Sequence, residues 1–232
     1  MNNIKLLIIA LFLTASALHA QDEKIIYRGE FEGVRCRGMA TFQLIPSDSG
    51  YVSLISSDDE IQNYITVTEQ GSVLNVDVVK KNVNITKILE KVIIKIYFVE
   101  LNHVVMEGAG MLETVGPIIT DQLIAAIRGT CVVEMEVECS DLEVKVTGTS
   151  ELTIAGKAKH ALINVEGIGS YNGKKLEAEV VDVKLEGIGN AVVNATYELK
   201  AKLSGVGTIE YVGDPDEKDF NIDGVGNIKR QD

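Results

Sequence analysis

The acidic residues of this chain are spaced where carboxylate chemistry is feasible. In Glu134-Met-Glu136-Val-Glu138 three carboxylates alternate onto one strand face, and Glu177, Glu179 and Asp182 follow one to two repeats later. Carboxyl groups flanking a sugar at roughly 5 to 9.5 Å hydrolyse glycosides, which makes a polysaccharide-active β-helix enzyme one reading. Alternating Glu is also how a strand presents a solvated face, and no distinguishing Arg or His accompanies these acids. Glu166 and Glu186 form a second pair, each standing just before a glycine motif. On neighbouring strands, at about 5 Å, they repel or invite a cation, and their hard oxygens suit Ca²⁺. Lys145 and Lys184, two residues further back in their strands, balance that charge if no cation does.

The remaining reactive side chains are few. The three cysteines are Cys36, Cys131 and Cys139. Cys131 and Cys139 share one parity with Val133, Met135 and Val137. In one straight strand they stand roughly 27 Å apart, so buried free thiols are expected. Beyond the leader the histidines are His103 and His160, neither at ligand spacing from a cysteine. No catalytic residue and no cofactor is assigned.

Glycine motifs recur through the last 125 or so residues. They are Gly108-Ala109-Gly110, Gly129-Thr130-Cys131, Gly148-Thr149-Ser150, Gly167-Ile168-Gly169, Gly187-Ile188-Gly189, Gly205-Val206-Gly207 and Gly224-Val225-Gly226. The first glycines are 21, 19, 19, 20, 18 and 19 residues apart. A phosphate-cradling loop would have a helix after it, and no copy does. A fixed period near 19 instead marks stacked repeats.

The elements carrying these motifs read as strands. Leu142/Val144/Val146, Val181/Val183/Leu185 and Leu199/Ala201/Leu203 alternate with polar residues and run into the next glycine motif. The expected fold is all-β, a solenoid with ~19-residue coils. Glycine corners relieve backbone crowding between coils. Residues 21–107 read as a less regular β part, with strands over 34–44, 51–55, 64–67, 73–79 and 91–99. Residues 82–90 form a short helix or an excursion. With no linker composition, residues 21–232 are expected to be one domain, its glycine repeats filling 108–232.

The address is read from the start of the chain. Lys5, the apolar run from Leu6 to Leu13 and Ser16-Ala-Leu-His-Ala20 form a secretory signal over residues 1–20, cut near Ala20. No later stretch is long and apolar enough to span a membrane. Losing Lys5 takes the 22 basic residues to 21 against 34 acidic, and the net charge from −12 to −13. That charge excludes nucleic acid and anionic membrane surfaces as partners.

Phe31-Glu-Gly-Val34, Val73-Leu-Asn-Val-Asp-Val78, Val104-Val-Met-Glu-Gly-Ala-Gly110, Ile209-Glu-Tyr-Val-Gly-Asp-Pro215 and Ile222-Asp-Gly-Val-Gly226 stand in this order. In this arrangement the chain resembles the head GIN domain family of auto-transporter adhesins of exported Bacteroidetes-type proteins. The resemblance implies a right-handed single-stranded β-helix and an adhesion role, with no shared catalytic set. The expectation is therefore a non-enzymatic binding module of the cell envelope, outside the cytoplasm. It would contact a cell-surface glycan or protein, or associate with itself; a self-associating envelope scaffold is the further alternative.

Overall fold

The computed structural model describes residues 23–56, 59–78 and 92–231. The expected leader, its cut near Ala20 and the 82–90 excursion lie outside the described residues. The described residues are strand almost throughout. Among the described residues the helical element is one 3-10 turn, Asp59–Tyr64. The first part supplies β1 (Glu23–Arg28), β2 (Gly33–Gly38), β3 (Thr41–Pro46), β4 (Tyr51–Ile55), β5 (Ile65–Gln70), β6 (Val73–Val78) and β7 (Ile93–Phe98). The glycine-rich part supplies β8 (His103–Thr114), β9 (Ile118–Ile119), β10 (Gln122–Leu185), β11 (Ile188–Leu203), β12 (Val206–Val212), β13 (Glu217–Ile222) and β14 (Val225–Arg230).

All fourteen strands join one sheet whose main path runs β1-β4-β7-β3-β8-β10-β11-β12-β14. This corrects the expected right-handed single-stranded β-helix. The sheet is open and mixed: β1–β4, β4–β7 and β5–β6 pair antiparallel, while the pairs from β8 to β14 are parallel. The period near 19 survives as register. Gly129 faces Gly108, Gly189 faces Gly169, Gly207 faces Gly189, and Gly226 faces Gly207. A repeat period states which residues are neighbours; it does not fix the hand of the connection or the closure of the sheet. The expected strand over 34–44 is two, β2 and β3, broken at Met39-Ala40.

Alternation decides burial. Leu142, Val144 and Val146 are buried while Glu143 and Lys145 between them are exposed. The inward residues of successive strands merge into one hydrophobic cluster from Phe31 to Tyr211. The glycines set how closely the backbones approach. Gly129 has φ 113°, and a Cβ on it would run into the Gly108 carbonyl. Gly207 repeats this against Gly189, with φ 156°. Two motifs carry another residue at the second glycine position, and there the side chain reaches back to the preceding strand. The Ser150 hydroxyl donates to the Gly129 carbonyl at 3.2 Å, and the Cys131 thiol to the Gly108 carbonyl at 3.6 Å. Both residues are buried.

Candidate functional site

The middle residues of the glycine motifs point away from the core. Ile168 pairs with Ile188, Ile188 with Val206, and Val206 with Val225 on successive parallel strands. They are 56, 56, 49 and 70 % exposed. At about 4.8 Å per strand this is an aliphatic ladder roughly 14 Å long. It is bounded by Gly167, Gly187, Gly205 and Gly224 on one side and Gly169, Gly189, Gly207 and Gly226 on the other. The ladder therefore stands proud of two rows without side chains. In the earlier motifs Gly108-Ala109-Gly110, Gly129-Thr130 and Gly148-Thr149 the same position is small or polar. Exposed apolar residues aligned in this way mark contact surfaces. The signal was present in the sequence as the change from Ala/Thr/Thr to Ile/Ile/Val/Val.

Beside the ladder lies the charged column. Arg128 holds Glu107 at 2.8 Å, and Arg37 bridges Glu107 and Asp77 at 3.4 and 3.2 Å. The Ca²⁺ candidates Glu166 and Glu186 do lie on neighbouring strands, since the Glu186 amide donates to the Val165 carbonyl at 2.9 Å. Lys145 already pairs with Glu166 at 2.8 Å. Among the described residues no group of three or more His, Cys, Asp or Glu is placed to hold a metal ion.

The acids considered for glycan cleavage divide. Glu134 and Glu136 lie on an exposed strand face, and Asp182 approaches Lys184 at 3.8 Å. Glu138, Glu177 and Glu179 gather around an open cavity of about 290 Å³, with Lys157 and Lys159 between them. The lysines were not foreseen; they lie on the stretch of β10 between Glu138 and Glu177. Cys139, half-buried in the same wall, has its thiol pushed up to about 11 by burial first and then by Asp141 and Asp121. That disfavours thiolate chemistry at neutral pH. A second cavity, about 310 Å³, is lined by Glu30, Glu32 and Glu100 with Phe31 and Val99.

All three cysteines are free. Burial raises the Cys36 thiol far above its ordinary range, with Asp77 adding to the effect. His103 is lowered, first by burial and then by Arg35 and Arg128. Of the tyrosines, Tyr171 and Tyr211 belong to the core, Tyr51 stacks on Tyr97 at 4.0 Å, and Tyr197 is exposed.

The fold has solved relatives. A "putative adhesin" from Bacteroides fragilis superposes with TM-score 0.81 at 24 % identity, covering 90 % of this chain and 96 % of that one. A "putative adhesin" from Parabacteroides distasonis gives TM-score 0.69 at 21 % identity, covering 90 % and 96 %. A "putative lipid binding protein" from the same organism gives 0.66 at 20 %, covering 91 % and 96 %. At these identities the likeness establishes the fold alone. None of the curated proteins matches the chain. The model of the family "Putative auto-transporter adhesin, head GIN domain" matches residues 30–215, and the chain belongs to that family.

Proposed function

We propose that this chain is an exported, non-enzymatic adhesion module, a single domain over residues 21–232, that holds a protein partner by its aliphatic ladder. The ladder of Ile168, Ile188, Val206 and Val225 is the observation that carries the reading. The family description and the adhesin-named neighbours support the same class of function. A convex row of aliphatic groups offers no hydrogen-bond donors to sugar hydroxyls. Nor does it enclose an acyl chain, which calls for a concave site. It fits the flat apolar core of a protein interface. Among the described residues no helix is long and apolar enough to cross a membrane. Cleavage near Ala20 would release the chain beyond the cytoplasm.

Burying what remains exposed of each ladder residue contributes about 1 kcal/mol, so three truncations weaken contact by about 100-fold. Beads coated with the protein, flowed over immobilised matrix proteins and mucin, test this. Retention that disappears in the Ile168→Ser/Ile188→Ser/Val206→Ser variant supports the reading. Equal retention of that variant moves the contact elsewhere, and no retention on any surface sinks the adhesion reading. Reducing ends released from a glycan panel would replace it with the enzyme reading.

A further inference from the structure

Among the described residues no strand covers β13 and β14. Among these residues β14 pairs only with β12, and β13 only with β11, so each presents there a row of backbone N–H and C=O groups without a strand partner. The core columns run on to this edge. Phe220 stands in register with Ala201, and Ile222 with Leu203. Ala201 and Leu203 are buried, whereas Phe220 and Ile222 are 40 and 48 % exposed. Ile228 likewise continues the column of the buried Ile209. An edge of this kind is completed by another strand with apolar residues at alternate positions.

The charges say which strand. Asp223 stands just before β14, while Lys229 and Arg230 close it. All three side chains are more than half exposed, and they now pair within the chain with Lys202, Glu210 and Asp214 at 3.8, 3.0 and 3.3 Å. The edge is acidic at its start and basic at its end, and so is complementary to itself when run antiparallel. We infer that a second copy of this chain docks on this edge, β14 against β14 about a two-fold axis. With Asn227 opposite the partner's Asn227, Ile228 lies beside the partner's Gly226, where no side chain obstructs it. Asp223 then comes diagonally within reach of the partner's Lys229. Phe220 and Ile222, which precede Asp223, lie on opposite sides of the axis in the two copies, so the charges and the β14 backbone carry this contact. Such a contact closes on itself and stops at two copies. It shares Val225, on β14, with the outward ladder of the adhesion reading, and leaves Ile168, Ile188 and Val206 clear.

The test is a charge exchange on the mature chain, read by light scattering after size exclusion. The unaltered protein is expected to be a dimer. Asp223→Lys alone and Lys229→Glu/Arg230→Glu alone each place like charges across the axis, and each is expected to dissociate at least tenfold more readily. Mixed in equal amounts, the two variants are expected to regain a dimer containing one of each, because every cross-axis pair is then opposite in sign. That regain cannot come from misfolded variants. A monomer at all concentrations, assemblies that lengthen with concentration, or a mixture that stays monomeric would each overturn the inference. Retention in the bead experiment is expected to persist in the monomeric variants.

Discussion

The two ends of this sheet solve the same problem in different ways. At the first end the chain folds back antiparallel, β1 on β4 and β5 on β6, and locks the turn with side chains. Glu23 accepts from Ser53, Tyr97 and Lys95 at 2.5, 2.9 and 3.1 Å. Tyr97 stacks on Tyr51, and the Arg28 guanidinium sits 5.6 Å from the Tyr51 ring centre. At the last end parallel strands simply stop, with apolar columns still open. Between them, backbone contacts repeated at the glycines set the spacing. One end is closed by particular side chains, the middle is governed by the absence of side chains, and the other end is left ready for another strand.

The largest contrast is expected from glycine substitution. Gly207→Val forces a side chain into the Gly189 carbonyl and strains a φ of 156°. A loss above about 4 kcal/mol is expected, enough to deplete the folded protein. Gly71→Ala, in the turn of the β5–β6 hairpin, meets nothing within 4 Å and carries only the strain of φ 64°. It is expected to cost about 1 kcal/mol. Denaturant melts of the two variants make the comparison; equal losses would mean that close approach at the glycine rows is not what limits them.

A smaller contrast separates the two ends. Phe42 is fully buried between β7 and β8, so Phe42→Ala is expected to lose about 3–5 kcal/mol. Phe220→Ala at the open edge is expected to lose under about 1.5 kcal/mol in the monomer, because much of the ring is already in water. A comparable loss at Phe220 would show that its edge is already covered.

The smallest effect is electrostatic. The hydrogen bond from Ser53, with Lys95 and Tyr97, holds the Glu23 carboxyl below its ordinary value of 4.5 in spite of opposing burial. A lowered folded-state pKa gives stability that is present above about pH 4.5 and lost as pH falls through the lower, folded value. The side chain is about a third exposed, so screening reduces this to a few tenths of a kcal/mol. Glu23→Gln is expected to flatten the acid limb of the melting-temperature profile by that amount and to leave the open end unchanged. An acid limb as steep as before would remove Glu23 from the account.

Much of the parallel region was legible in the residues. The glycine spacing gave the register from β8 to β14, and alternation placed Leu142, Val183 and Leu203 inward. The hand and closure that the family resemblance implied are not secured by the spacing, because identical neighbours arise in any parallel stack of this period. The antiparallel first part was less legible. Its pairing depends on turns and single hydrogen bonds, such as Ser53 to Glu23, that leave no periodic trace. The residues between the glycines carry no such periodic mark. Ile168, Ile188, Val206 and Val225 matter because their flanks are empty, which is a relation between strands. The grouping of Lys157 and Lys159 with Glu138 and Glu177 is likewise set by neighbouring strands.

The in-register glycine rows make the molecule behave like a ruler. Each further strand bearing the motif adds the same increment of length, and those with Ile or Val between the glycines would add a rung to the aliphatic ladder. Valency and reach would then change together by whole motifs.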